Sequence, residues 1–177
     1  MANKLWHLLV VSSLLLLALA VPAGAQTQYL LDNTLDANPG VAWAYGDSND
    51  HQYVTDRCAI SGSTWAARLD AGYGIAQEFN VTSAHVSYSI RLDAYFGDTG
   101  GTSDDAINVY VRNLNTNVEE VKTFTAADYG YCASVVGFTL SNDYDNAPVR
   151  VTVKRSLGST SSMTIDVDNI YFFGRPY

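Results

Sequence analysis

Basic side chains are scarce in this 177-residue sequence. Lysine and arginine together number 10 against 18 aspartates and glutamates, which gives a formal net charge of −8, and only 16% of the residues are charged. Because an acidic protein repels a phosphate backbone, nucleic acid is excluded as a partner. Aromatic residues reach 12%, with 12 tyrosines among them, a composition typical of β-rich proteins.

Cysteine is almost absent, because only Cys58 and Cys132 are present. Neither belongs to a Cys-x-x-Cys motif or has histidine or lysine as a sequence neighbour, so a redox or nucleophilic role is not indicated. In an oxidising compartment a single pair most simply forms a disulfide, and we predict a Cys58–Cys132 bond. Two buried free thiols are the alternative.

Catalytic signatures are missing as well. The histidines show no metal-ligand spacing, and the chain has no Gly-x-Ser-x-Gly motif and no glycine-rich phosphate loop. A polysaccharide-active enzyme would need two carboxylates facing each other across a groove. We therefore predict a protein that is not an enzyme and has no catalytic residues.

Sustained helical periodicity is also absent, and apolar residues instead recur at every second position. The clearest run has an apolar face that consists of Val86, Tyr88, Ile90, Leu92 and Ala94, and His85 begins its polar face. Runs of this kind recur often enough for roughly ten or eleven antiparallel strands, which need two sheets or a barrel to bury their apolar faces. Because every strand also has a polar face, a sandwich with two solvated outer surfaces is favoured. We predict an all-β fold, an antiparallel jelly-roll β-sandwich.

The N-terminus has the pattern of an export signal. Lys4 precedes an apolar run from Leu8 to Val21, and small residues follow at the expected cleavage site. The run is too short for a comfortable transmembrane span. We therefore predict a signal peptide at 1–25 and a single domain at 26–177, secreted or periplasmic and without a membrane span.

Three segments in order carry a family resemblance. They are Tyr29 to Asp36 followed by Trp43, then Ser61 to Leu69 leading into Gly74 to Val81, and finally Ile165 to Phe172. Together they resemble galactose-binding-like carbohydrate-binding modules. The resemblance implies a galactose-binding-domain-like jelly roll, and a carbohydrate or a component of the extracellular matrix or cell surface as the partner.

The resemblance also implies a structural calcium ion. Its ligands at the matching positions are Asp36 and Asp168, where the first and last strands lie side by side. Asp166 lies two residues before Asp168, so the two carboxylates share one face of a regular strand and favour a cation between them. Alternatively, both cap backbone amides at a bulge. The acidic loop Asp98–Asp105 is a second candidate for calcium.

Tyrosine and arginine share the polar faces of two predicted strands. Arg91 and Tyr95 lie on one strand, and Asn108, Tyr110 and Arg112 lie on the next. A flat ring stacks on the apolar face of a pyranose while arginine and amide groups hydrogen-bond its hydroxyls, so these residues are candidates for a saccharide-binding platform. The alternative is a site at one end of the sandwich, lined by loop tyrosines: Tyr45, Tyr53, Tyr73, Tyr129, Tyr131 and Tyr144.

These features favour a secreted, non-catalytic carbohydrate-binding module that stacks aromatic side chains on a poly- or oligosaccharide. The alternative is a structural or adhesive surface protein that uses the same sandwich to bind other protein chains. An outward aromatic cluster beside arginine favours the first function, whereas tyrosines scattered singly favour the second.

Overall fold

The computed structural model describes residues 26–31, 35, 43–45, 51–55, 65–70, 72–97, 106–125, 128, 132–156 and 165–177. Within these ranges every element with described bounds is a strand, as the alternating pattern predicted, and Asp128 alone is helical. The strands are β1 (Thr27–Gln28), β2 (Ala44–Tyr45), β3 (His51–Thr55), β4 (Trp65–Leu69), β5 (Gly74–Asn80), β6 (Ser87–Phe96), β7 (Ala106–Asn113), β8 (Glu119–Thr125), β9 (Cys132–Leu140), β10 (Pro148–Arg155) and β11 (Ile165–Arg175).

The strands form two antiparallel sheets. The six-stranded sheet has the order β3–β4–β11–β6–β9, with β1 paired to the remaining part of β11, and the five-stranded sheet has the order β2–β5–β10–β7–β8. The neighbouring strands β6 and β7 therefore belong to different sheets. A jelly-roll β-sandwich, the predicted fold class, accounts for this arrangement and is confirmed.

The core lies between the two sheets. Ile90 and Phe172 from the six-stranded sheet meet Val109, Val111 and Val151 from the five-stranded sheet, and all five are fully buried. Each buried side chain of this size contributes about 1.5–3 kcal/mol relative to exposure in water. The apolar face of every long strand therefore points inward, and its polar face points outward.

The predicted alternation fails at the start of β6. Val86, expected inside, is 54% exposed, and His85, expected outside, is only 7% exposed. The strand begins at Ser87, and the amide of Val86 donates to the carbonyl of Arg175 at 2.9 Å. The imidazole of His85 fills the space above Gly174, where a Cβ atom would overlap the ring.

Two glutamines fix the N-terminal segment against the sandwich. Gln77 on β5 accepts the amide of Leu31 at 2.6 Å and donates to its carbonyl at 2.8 Å, which imitates a strand pairing. The Oε1 atom of Gln28 accepts the amide of Phe172 at 3.0 Å. The segment 26–31 thereby contacts both sheets and closes the edge of β11.

Several predictions lie outside the described residues. They concern the signal peptide at 1–25, Cys58, Asp36 and the acidic loop at 98–105. The disulfide and the export signal therefore stay predictions. Among the described residues, no helix is long and apolar enough to cross a bilayer.

Candidate functional site

An aromatic pair, Tyr171 and Phe173, lies on the outer face of the six-stranded sheet. In β11 the residues Ile170 and Phe172 are fully buried, whereas Tyr171 and Phe173 are half-buried and point away from the core. Their rings are parallel within 7° with centroids 5.3 Å apart, which is an offset stack. The pair leaves part of its ring surface in contact with water, where a flat ligand can stack on it.

Arg91 contacts both rings of the aromatic pair from the adjacent strand. It lies on β6 opposite Tyr171, and its guanidinium carbon is 5.9 Å from the centroid of each ring. A cation–π contact at an exposed site contributes about 0.5–1 kcal/mol. Within the part of the chain that the structure describes, Arg91 forms no ion pair and its Nε has no hydrogen-bond partner. The rings thus hold the guanidinium in place without occupying its hydrogen-bond donors.

A buried polar cluster of Asp93, Asp168 and Asn169 follows on the same sheet. Asp93 and Asp168 lie opposite each other on β6 and β11, and a β-bulge begins at Asp168. Asn169 has a left-handed backbone, with φ of 48°. Its Nδ2 donates to Asp168 Oδ2 at 2.8 Å and to Asp93 Oδ2 at 3.1 Å. The bulge therefore aims one amide group at two carboxylates.

Asp166 on β11 and Tyr95 on β6 also lie opposite each other, two residues from the pair of Asp168 and Asp93. The carboxylate of Asp166 accepts two hydrogen bonds from Arg68 on β4, from Nε at 2.9 Å and from Nη2 at 3.2 Å. The hydrogen bond to Asp166 raises the pKa of Arg68, although burial alone would lower it. The negative charge of Asp166 is therefore neutralised within the protein.

The surroundings of the predicted calcium ligands differ. Both oxygens of Asp166 are bound to Arg68, so this carboxylate does not fit a cation site. Asp168 accepts the backbone amide of Asn169 at 2.6 Å, as expected for a carboxylate that caps a bulge. Its chemistry still suits calcium, but the described residues contain no group of three or more His, Cys, Asp or Glu side chains that would hold a metal. A calcium site at Asp36 and Asp168 stays a prediction.

The predicted saccharide-binding residues divide between the two outer faces. Arg91 and Tyr95 are on β6 in the six-stranded sheet, whereas Asn108, Tyr110 and Arg112 are on β7 in the five-stranded sheet. Packed sheets are about 10 Å apart, and these side chains point away from each other. The idea of one platform built from both strands is therefore wrong, because chain neighbours are not sheet neighbours here.

The β7 residues have partners on their own face. Asn108 accepts a hydrogen bond from Thr123 at 2.6 Å, and Arg112 donates to Asn117 at 3.0 Å. Tyr110 lies between Thr152 on β10 and the exposed Val121 on β8. No second ring contacts Tyr110 among the described residues. This face therefore shows isolated, internally bonded polar groups in place of an aromatic cluster.

The alternative site at the loop end is only partly described. Tyr144 is fully buried, and burial raises the pKa of its hydroxyl to about 12, so it is a core residue and no rim ligand. Tyr73 is exposed. The remaining tyrosines of that set either lie outside the described residues or have no described side chain.

A serine and a histidine at one end of the sandwich do not form a catalytic triad. Ser83 Oγ lies 3.1 Å from His85 Nε2, and the hydroxyl of Tyr29 bonds to both groups. Asp145 binds the backbone amide of His85 at 2.9 Å, and Nδ1 of the ring has no partner among the described residues. A triad needs a carboxylate on that nitrogen to orient the base, and the described residues supply none.

Sequence reasoning missed the two central residues of the site, Tyr171 and Phe173. Both are in the closing segment that carried the family resemblance, and Ile170 and Phe172 alternate with them. With Phe172 assigned to the core, period two places the two remaining aromatics on the polar face. That alternation was the available signal.

Comparison with known proteins identifies the fold. No family model and no curated protein matches the sequence. Among solved structures, a family 61 carbohydrate-binding module in complex with β-1,4-galactotriose matches with a TM-score of 0.61 at 13% identity, over 84% of this chain and 99% of that one.

Two further carbohydrate-binding modules match at lower scores. The xylan-binding module of family 15 has a TM-score of 0.53 at 10% identity over 86% of this chain and 98% of its own. The second family 16 module has a TM-score of 0.52 at 17% identity over 81% and 97%. Enzymes match as well, but an α-L-arabinofuranosidase is covered over only 27% of its length. The chain has the jelly-roll fold of carbohydrate-binding modules.

Proposed function

We propose that this protein is a non-catalytic carbohydrate-binding module whose site is the outer face of the six-stranded sheet. The observation that carries the proposal is the aromatic pair with Arg91 beside it. Stacked rings offer apolar surface to the C–H face of a pyranose, and a guanidinium held against them donates hydrogen bonds to sugar oxygens. Tyr95 lies on the same strand as Arg91, four residues further on, which is about 13 Å.

The comparisons support the same class of ligand. The similar structures include one bound to β-1,4-galactotriose and one named for xylan binding. This chain covers nearly the whole length of both modules, so the likeness is to complete binding domains. The missing triad at His85 and the lack of catalytic motifs support a binding role over an enzymatic one.

A glycan-binding screen of the purified protein tests the proposal. We expect binding to one coherent class of saccharide, and β-1,4-galactan and xylan are the first polymers to include. The double variant Tyr171→Ala/Phe173→Ala should lose that binding while its far-UV circular dichroism stays unchanged. Binding to no glycan would favour the adhesive alternative, and the search would turn to protein partners.

Structural calcium belongs to the proposal as its separately testable part. Asp168 and Asp36 would hold the ion, and it would fix the first strand against β11 without contacting the sugar. We expect a chelator to lower the melting temperature and calcium to restore it. An unchanged melting temperature, together with the absence of calcium in elemental analysis, would remove calcium and leave saccharide binding untouched.

Secretion is proposed from the leader pattern alone. Removal of residues 1–25 would give a protein that begins at Gln26. N-terminal sequencing of the protein recovered from the producing cells checks this. An intact Met1 would contradict it.

A further inference from the structure

Charge is unevenly distributed along the outer face of the six-stranded sheet. The three outward carboxylates of the described part of this face, Asp93, Asp166 and Asp168, lie at one end. At the other end Arg91 and Arg175 are the charged groups. We call Arg91, Tyr171, Phe173 and Arg175 the basic aromatic patch.

Arg175 extends the patch beyond the aromatic pair. It lies two residues after Phe173 on β11, is exposed, and pairs in register with Ser87. Arg91 is in register with Tyr171, four residues before Arg175, which is about 13 Å along the strand, so the two arginines flank the rings at opposite ends. An extended saccharide that covers both rings therefore has an arginine at each end.

The surroundings of the patch are hydroxylated and uncharged. Ser87 and Ser89 come from β6, Gly137 and Thr139 from the edge strand β9, and Gln28 lies opposite Phe173 on β1. Among the described residues, no acidic side chain faces outward here. Small hydroxyl groups and a glycine leave room above the sheet and supply further hydrogen bonds.

The two patch arginines differ from the other described arginines. The other arginines have partners: Arg68 binds Asp166, Arg150 binds Glu78, Arg112 binds Asn117 and Arg155 binds the carbonyl of Leu69. In the described part of the chain, the side chains of Arg91 and Arg175 make no hydrogen bond and no ion pair. In a chain of net charge −8, where acidic groups outnumber basic ones, two such arginines beside stacked rings are poised for an external anion.

We propose that the basic aromatic patch binds an anionic saccharide, one whose sugars carry carboxylate or sulfate groups. The inference rests on the proposed saccharide-binding function and narrows its ligand class. A guanidinium matches a carboxylate or sulfate with two parallel N–H donors, and such charge-assisted bonds are about twice as strong as those to a hydroxyl.

The rest of the acidic protein does not prevent this binding. At physiological ionic strength charges are screened over about 8 Å, so the local arginines outweigh distant carboxylates. Asp93, two residues from Arg91, is the nearest acidic group on the face, and it is buried and bonded to Asn169. Its negative charge favours an anionic ligand at the other end of the patch, where Ser87 lies opposite Arg175.

Pairs of glycans that differ only in charge test the proposal. One pair is an oligogalacturonide and its methyl ester, and a difference in affinity between them shows that a carboxylate is recognised. The other is a sulfated galactan and its desulfated product, and a difference between them shows that a sulfate is recognised. We expect at least one charged member to bind about ten-fold or more tightly than its neutral form, and its binding to weaken as salt is raised.

Three variants, each of which removes the charge of one arginine, test whether the charged glycan binds at the basic aromatic patch. Arg91→Gln should weaken binding of the charged glycan about ten- to a hundred-fold and reduce the preference over the neutral form. Arg175→Gln, at an exposed end of the patch, should do the same to a smaller extent without a risk to folding. Arg150→Gln removes the same charge from the opposite face and should leave binding unchanged.

The outcomes separate this inference from the proposed function. Equal binding to charged and neutral partners would overturn the anionic ligand and leave saccharide binding standing. Binding to no glycan at all would overturn both. Equal losses in Arg91→Gln and Arg150→Gln would show a general charge effect and would overturn the patch as the site.

Discussion

The two outer faces of the sandwich are built from similar residues and differ in how those residues are paired. On the five-stranded sheet, Arg150 is bonded to Glu78 across adjacent strands, with side chains 46% and 51% exposed. On the six-stranded sheet, Arg91 stacks on two rings, without an ion pair among the described residues. The strands β6 and β7 each present tyrosine and arginine, so residue type alone does not distinguish the faces. The cross-strand neighbours determine which face has an arginine whose hydrogen-bond donors are available to a ligand.

The largest expected effect is a loss of stability from a cysteine substitution that involves the sheet with the candidate site. Cys132 belongs to β9 in that sheet, opposite Tyr95. If Cys58 is bonded to it, Cys58→Ser should lower the free energy of unfolding by about 4 kcal/mol, because the disulfide restricts the unfolded chain. Urea denaturation with and without reductant measures this. Identical curves for the variant and the wild type under both conditions would rule out the bond.

The second-largest expected effect is the loss of stability when an arginine–carboxylate pair is broken, and each face has one such pair. Arg68→Ala removes both hydrogen bonds that Arg68 donates to Asp166, and the Asp166 side chain is only 1% exposed, so we expect a loss of about 3 kcal/mol. Arg150→Ala breaks the exposed pair with Glu78 and should cost less than about 1 kcal/mol. Thermal and urea unfolding measure both variants. Equal losses would contradict the difference in burial.

The substitution of one tyrosine on each face tests which face binds the saccharide. Tyr171→Ala should weaken saccharide binding about 30-fold, since truncation of an aromatic anchor at an interface typically removes about 2 kcal/mol or more. Tyr110→Ala removes the same side chain from the five-stranded sheet and should change the affinity by less than about two-fold. Isothermal titration with the glycan found in the screen provides the measurement. A larger loss at Tyr110 would move the site to the other face.

The smallest effect is a pH dependence at the edge of the five-stranded sheet. Burial alone would raise the pKa of Glu120, but the ion pair with Lys122 and the hydrogen bonds from the amides of Ser141 and Asn142 outweigh it and hold the pKa below its ordinary value. A lowered pKa stabilises the fold above the ordinary value near 4.3, and this contribution is lost as the pH falls through the lowered pKa.

The variant Glu120→Gln should therefore melt at a lower temperature than the wild type at pH 7. The gap should narrow below about pH 4 as the wild-type carboxylate takes up a proton. Differential scanning calorimetry at both pH values tests this. A gap that stays constant with pH would show that the carboxylate charge at Glu120 is not involved.

The strands and the core were predictable because local alternation determines them. Tyr88, Ile90 and Leu92 are buried as period two requires. The pattern failed at Val86 and His85, where β6 has not yet begun and the ring of His85 lies over Gly174. A contact between residues so far apart in sequence leaves no trace in a local pattern.

The site was only half predictable for a similar reason. Arg91 and Tyr95 were identified as outward residues of one strand, but their true neighbours are on β11, about 80 positions later in the chain. Tyr110 and Arg112 fitted the same criterion and belong to the opposite face. Sheet assignment depends on long-range pairing, and no single strand encodes its partner.

The place of β11 in the sheet order has a consequence for the timing of folding. Every other strand is synthesised before it, yet β11 lies between β4 and β6 and joins them. Before residues 165–175 are available, the other strands of the six-stranded sheet form two separate antiparallel pairs, β3 with β4 and β6 with β9, and β1 has no partner strand, while all strands of the five-stranded sheet are already present. A chain that lacks this segment has an incomplete six-stranded sheet and leaves the apolar face of the five-stranded sheet exposed. The synthesis of β11 therefore supplies Tyr171 and Phe173 in the same step that covers this face and protects the protein from aggregation.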